Sequence, residues 1–191
     1  MKTLITAAIA SLAFTSVAHA ACETTVAKDD LTTEQVTALY DCIKDELRAG
    51  YAKEGLENTR EYQSWKAAAT APAAPGFHGK RFLMTYVNEI GHAEYVKYTE
   101  ERGPMPVGAV LAKESFNVSK KGKVKKGPLF FMTKVAAGGE AAEFGNWVYS
   151  AVRTNGKVMK IKQAFCHNCH GNYEEQDAMG YPVEDVRLGA E

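Results

Sequence analysis

Apolar residues recur at Val36, Leu39, Tyr40, Ile43, Leu47 and Tyr51, which is the spacing of one helix face. Ahead of them, Thr32 as N-cap with Gln35 three residues on forms a capping box, and Leu31 is placed to staple against Val36. A second, shorter helix is predicted from Arg60 to Ala69, with Tyr62 and Trp65 as its large apolar contacts. Thr70-Ala71-Pro72-Ala73-Ala74-Pro75-Gly76 breaks the pattern and reads as a linker. From Lys80 the period becomes two: Phe82, Met84 and Tyr86 alternate with polar or smaller residues, as in a strand with one face inward. Gly91 to Arg102 reads as a short helix, and further strand-like runs cover 108–118, 129–135, 147–153 and 158–164. Ser119-Lys120-Lys121-Gly122-Lys123 and Thr154-Asn155-Gly156-Lys157 carry turn chemistry, the second being a hairpin signal. Short strands joined by tight turns predict an antiparallel β-sheet, so the fold class is α+β with an N-terminal helical extension.

Composition narrows the setting. Lys2, the apolar run from Leu4 to Val17, and Ala18-His19-Ala20 before Ala21 are the three parts of a secretory signal, predicting cleavage after Ala20 and a bacterial periplasmic protein. The apolar run is too short and alanine-rich for a spanning helix, and nothing later is long enough, so no membrane span is expected. Export favours disulfides, and a Cys22–Cys42 bond would close a loop worth about 3 kcal/mol. With 23 acidic and 23 basic residues the chain lacks the charge excess of a nucleic-acid binder. The one strong charge run, Lys120 to Lys126, reads as a solvated turn between two strands.

The chemistry concentrates at Cys166-His167-Asn168-Cys169-His170. Cys-x-x-Cys-His is the attachment motif of a c-type haem: two thiols add across the vinyl groups and the adjoining histidine binds the iron. A redox dithiol would call for a thioredoxin-like βαβ context, and a zinc site for further ligands. One covalent haem c is therefore expected, with Cys166 and Cys169 as thioether donors, His170 as axial ligand and His167 pointing away. Little chain follows His170, and Met179 is the sole downstream methionine. It would have to wrap around the haem edge to reach iron, while Met84, Met105 and Met132 suit core packing. An iron with an open distal side follows. His78 and His92 read as surface residues.

The segment from Phe82 to Tyr181 resembles the cytochrome P-460 family, whose β-sheet fold is shared with the cytochromes c′-beta. The matching stretches are Arg81 to Asn88, Met105 to Glu114, Phe130-Phe131-Met132, Asn146-Trp147-Val148-Tyr149 and the haem motif. The resemblance divides the chain into a signal peptide (1–20), a helical extension (21–76) and a P-460-like haem domain (77–191). It also implies that Lys113 is bonded to a meso carbon of the porphyrin, whereas on strand pattern alone Lys113 is a solvent-facing residue between Leu111 and Ser115. The implied activity is oxidation of hydroxylamine, with nitric oxide as a further substrate, and electrons passing to a soluble redox partner. A distal carboxylate would serve as base, the candidates being Glu94, Glu114, Glu140 and Glu143. Phe116, Phe130, Phe131, Phe144 and Trp147 are candidates to wall the pocket, or simply to fill the core. The relatives commonly form homodimers. Two other functions remain open: a c′-beta-like protein that binds nitric oxide or carbon monoxide without turnover, and an electron carrier with two axial ligands.

Overall fold

The computed structural model describes residues 22–74, 76–98 and 103–188. The expected export signal, residues 1–20, lies outside the described residues. Among the described residues no helix is long and apolar enough to cross a membrane.

Helix α1 spans Thr33–Tyr51. Its start is the capping box: Gln35 N donates to Thr32 Oγ1 at 3.3 Å and Thr32 N to Gln35 Oε1 at 3.0 Å. Val36, Leu39, Tyr40, Ile43, Leu47 and Tyr51 are all buried, the face that the 3.6-residue period marks out. Cys22 and Cys42 are joined by a disulfide, their Cα atoms 5.8 Å apart. Beyond closing a loop, this bond ties α1 to the sheet, because Cys22 O accepts from Val124 N at 3.2 Å.

The sheet is antiparallel throughout: β1 (Lys66–Ala67), β2 (Phe82–Val87), β3 (Val110–Val118), β5 (Leu129–Lys134) and β6 (Trp147–Val152) pair in that spatial order, and β4 (Val124–Lys126) pairs with the end of β3. Side chains alternate across it. One face carries Met84, Tyr86, Ala112, Glu114, Phe116 and Phe131 and packs under α1 in one apolar cluster. The other carries Val87, Leu111, Met132 and Tyr149, with Lys113 opposite Thr85 and Phe130 in the register. Both faces are covered, so every residue of β2 is buried rather than every second one.

Three predicted elements differ. The Arg60–Ala69 helix is replaced by a single turn, α2 (Asn58–Glu61), then a 3₁₀ turn at Tyr62–Ser64, after which the chain extends into β1. The open edge of β2 accounts for this: Ala68 N donates to Thr85 O at 2.9 Å, and ladder bonds made in tertiary context outweigh even the high helix propensity of an alanine run. The same edge holds the segment read as a linker, since Ala73 and Leu83 exchange bonds of 2.8 and 3.2 Å. The 158–164 strand shrinks to one bridge between Val158 and Val152. Beyond it the side-chain amide of Gln163 takes a strand's place, accepting from Tyr149 N at 2.7 Å and donating to Tyr149 O at 2.8 Å. The chain then turns into helix α4 (Gln163–His170), which carries the whole Cys-x-x-Cys-His motif. The predicted 91–102 helix is α3 (Glu89–Tyr95), with Asn88 as N-cap. The 154–157 turn closes through Gly156 N to Arg153 O at 2.9 Å, with Gly156 in the left-handed region at φ +85°.

Candidate haem site

Helix α4 lies against the Lys113 face of the sheet, pinned at its first residue by the Gln163–Tyr149 pair. Cys166 and Cys169, three residues apart on adjacent turns, are free thiols, the first half-buried and the second exposed. Burial pushes the Cys166 thiol up, and the neighbouring Cys169 adds to it. His170 closes the helix with Nδ1 2.9 Å from Ala178 O, which leaves Nε2 as the ring nitrogen available to a metal. Its pKa falls to about 4, chiefly through burial and secondly through Lys113, so the imidazole is neutral at pH 7.

The carbonyl that orients His170 is itself clamped. Asp177 and Ala178 both adopt left-handed backbone, at φ +53° and +62°. Asp177 holds the bend by accepting from Lys134 Nζ at 2.6 Å and Met105 N at 2.7 Å, while its carbonyl accepts from Trp147 Nε1 at 2.9 Å. Sequence reasoning did not single out Asp177; its signal is faint, one of three acids shortly after the motif, with Glu174 and Glu175. Trp147 is thus a core residue that anchors this bend, not a pocket wall. Met179 is fully buried on the far side of the bend with Tyr95 and Met105, and it lines neither cleft described below.

Two clefts open at the motif, a polar one of about 740 Å³ and an apolar one of about 400 Å³. They share Phe77, His78, Lys113, Cys169 and His170. Leu111, Phe130, Met132, Met159 and Ile161 wall the apolar one; Tyr98, Tyr173, Tyr181 and Arg187 line the polar one. Lys113 is 8% exposed rather than solvent-facing. Its Nζ donates to Gly180 O at 2.9 Å, and desolvation lowers its pKa to about 8. His78, read from sequence as a surface residue, instead lines both clefts, its ring 4.9 Å from that of Phe130 and 6.1 Å from that of His170. His92 is half-buried, with Nε2 3.1 Å from Ala67 O.

The carboxylates proposed as distal base lie elsewhere. Glu114 is on the opposite sheet face, 1% exposed, accepting from Arg48 Nε at 2.9 Å and Tyr62 OH at 2.8 Å. Glu94 on α3 accepts from Lys97 just past the helix end, and Glu140 and Glu143 are exposed beyond β5. Among the described residues the one carboxylate lining either cleft is Glu184, whose side chain is 83% exposed at the rim. Of the aromatic candidates, Phe130 and Phe131 both line the apolar cleft, and Phe131 belongs with Phe116 to the cluster under α1. Phe144 packs on His167, ring centroids 5.5 Å apart.

These residues suit a haem: paired free thiols on one helix, an imidazole tied at Nδ1 and free at Nε2, and an adjoining apolar cleft within the range of cofactor sites. A zinc site does not suit them, since among the described residues no group of three or more His, Cys, Asp or Glu converges. The cytochrome P460 family model matches residues 59–179, well over half of the chain. This chain belongs to the cytochrome P460 family. The match begins ahead of the strands that carry the sequence resemblance and takes in α2 and β1. Haem is the cofactor that the family implies, in a cytochrome of the P460 and c′-beta kind. No curated protein matches the chain.

Proposed function

We propose that this cytochrome is a periplasmic, mono-haem c-type oxidoreductase of the P460 type that oxidises hydroxylamine and passes the electrons to a soluble redox partner. Cys166 and Cys169 supply the thioethers and His170 the proximal nitrogen. When bound, the haem supplies an iron that takes up the substrate nitrogen and accepts its electrons. The observation that carries the reading is the placement of Lys113: buried, in the wall common to both clefts, beside Cys169 and His170. Among the described residues its amine meets no carboxylate, only Gly180 O, and a pKa near 8 leaves about a tenth of it as free nucleophile at pH 7. Were haem bound there, joining Nζ to a porphyrin carbon would replace one N–H and one C–H, releasing two protons to solvent and two electrons to an added two-electron oxidant such as a peroxide. The disulfide at Cys22–Cys42 supports export, because such bonds persist outside the cytosol.

Proteolysis of the wild-type protein is expected to yield a fragment holding Lys113 joined through haem to the 166–170 peptide. Lys113→Leu is expected to keep both thioethers, lose that fragment and lose hydroxylamine oxidation. A free Lys113 peptide from fully haem-loaded wild-type protein would reject the enzyme reading. It would favour the second one, nitric oxide or carbon monoxide binding, which the apolar wall at Leu111, Phe130 and Met132 supports.

A further inference from the structure

We propose that His78 is a displaceable sixth ligand, facing His170 across the haem site and closing the iron until substrate or gas takes its place. The inference rests on the haem reading above and departs from the open distal side that the sequence suggests. Its first support is geometric. Two imidazoles bound to one metal from opposite sides, each nitrogen at about 2.0 Å, place their ring centroids about 6 Å apart. The centroids of His78 and His170 are 6.1 Å apart, with ring planes inclined at 79°. The two side chains come from segments more than ninety residues apart in sequence, so chain connectivity does not impose the spacing.

The second support is the backbone beneath His78. His78, Gly79 and Lys80 are all left-handed, with φ of +53°, +69° and +56°. Two of these are not glycine, and side chains disfavour that backbone region, so surrounding bonds must hold them there. Those bonds exist: Arg81 donates to His78 O at 2.6 Å, Lys80 N to Phe77 O at 3.0 Å, and Lys28 from the helical extension to Lys80 O. Phe130 packs edge-on against the ring. Among the described residues neither nitrogen of half-buried His78 has a hydrogen-bond partner and the residue lines both clefts, whereas His92 and His170 are both bonded. A clamped, strained loop thus presents an unpartnered imidazole to the one place where the family cofactor would use it. Ligand exchange at this position moves no electrons and needs no co-reactant. The His78 ring turns away about its side-chain bonds while the loop stays clamped, and an exogenous donor enters.

The test uses the haem-loaded protein, with covalent haem verified by intact mass. Wild-type ferric iron is expected to be low-spin by electron paramagnetic resonance and optical spectra, and His78→Ala high-spin, with added imidazole restoring the low-spin signal. In the ferrous state, carbon monoxide is expected to bind His78→Ala about 10- to 100-fold more tightly, the factor by which a closed population of roughly 90–99% masks intrinsic affinity. High-spin wild-type iron overturns the inference and needs no variant. So does a low-spin signal that His78→Ala leaves unchanged, or low-spin wild-type iron that carbon monoxide never reaches. His78→Met, which exchanges nitrogen for sulfur, should give a different low-spin spectrum and guards against misfolding of the alanine variant. Absence of covalent haem would instead overturn the haem reading itself.

Discussion

Replacing Cys166 and Cys169 together by serine in a Lys113→Leu background is expected to give protein from which denaturation and solvent extraction remove all haem. The intact mass then equals that of the mature polypeptide. Serine hydroxyls do not add across vinyl groups as thiols do, and Nε2 of His170 would hold iron only through a coordinate bond that denaturation breaks. Each single serine variant should retain one thioether, because the two thiols sit on adjacent turns of α4 and each meets its own vinyl group. The same double variant with Lys113 intact separates the attachments: haem surviving denaturation there hangs from the lysine alone. If haem stays covalently bound in the triple variant, the assignment of both the motif and Lys113 is wrong.

The second large effect lies on the other face of the sheet. Arg48→Met is expected to lower stability by about 3–5 kcal/mol, because it strands the Glu114 carboxylate in the core. Glu114 is 1% exposed and lies in a network with Arg48, Tyr40, Tyr62 and Tyr86, in which Arg48 also donates to Tyr86 OH at 2.8 Å and the Tyr40 and Tyr86 hydroxyls are 2.7 Å apart. Burial, then the Glu114 charge, raises the pKa of Tyr40 and Tyr62, which keeps both phenols protonated as donors. In a domain of this size the loss corresponds to roughly 6–20 °C in melting temperature. Urea unfolding of Arg48→Met beside Arg48→Met/Glu114→Gln measures it. The double variant should recover much of the loss, since the uncompensated charge is gone. A single-variant cost below about 1 kcal/mol would mean that water reaches Glu114. Through this network the helical extension stabilises β3, the strand whose other face carries Lys113.

Adjacent residues Lys113 and Glu114 show how far one chain reading reaches. Strand alternation states that they point to opposite sides, yet it does not state what covers each side. Glu114, one of four candidate bases, directly follows Lys113 on the strand, and for that reason it faces away from the clefts. The helix over 60–69 failed because propensity cannot see the vacant edge of β2. The strand over 158–164 failed because a single glutamine amide supplied both bonds that a strand would have made. His78 escaped because an isolated histidine in a loop carries no periodic signal. Its role rests on meeting His170, ninety positions away.

What this sequence determined by itself is whatever depends on neighbours within a few residues. The capping box and apolar stripe of α1 rest on hydrogen bonds and side-chain spacing within single turns, the tight turns on glycine at left-handed positions, and the Cys-x-x-Cys-His motif on five consecutive residues. Only the tertiary structure decided which face of the sheet α1 covers, that Asp177 steadies the carbonyl holding His170, and that Lys113 and His78 share a site with it. Those outcomes depend on long-range packing, in which burial of whole apolar faces outweighs local preference, and no short window of sequence contains both partners.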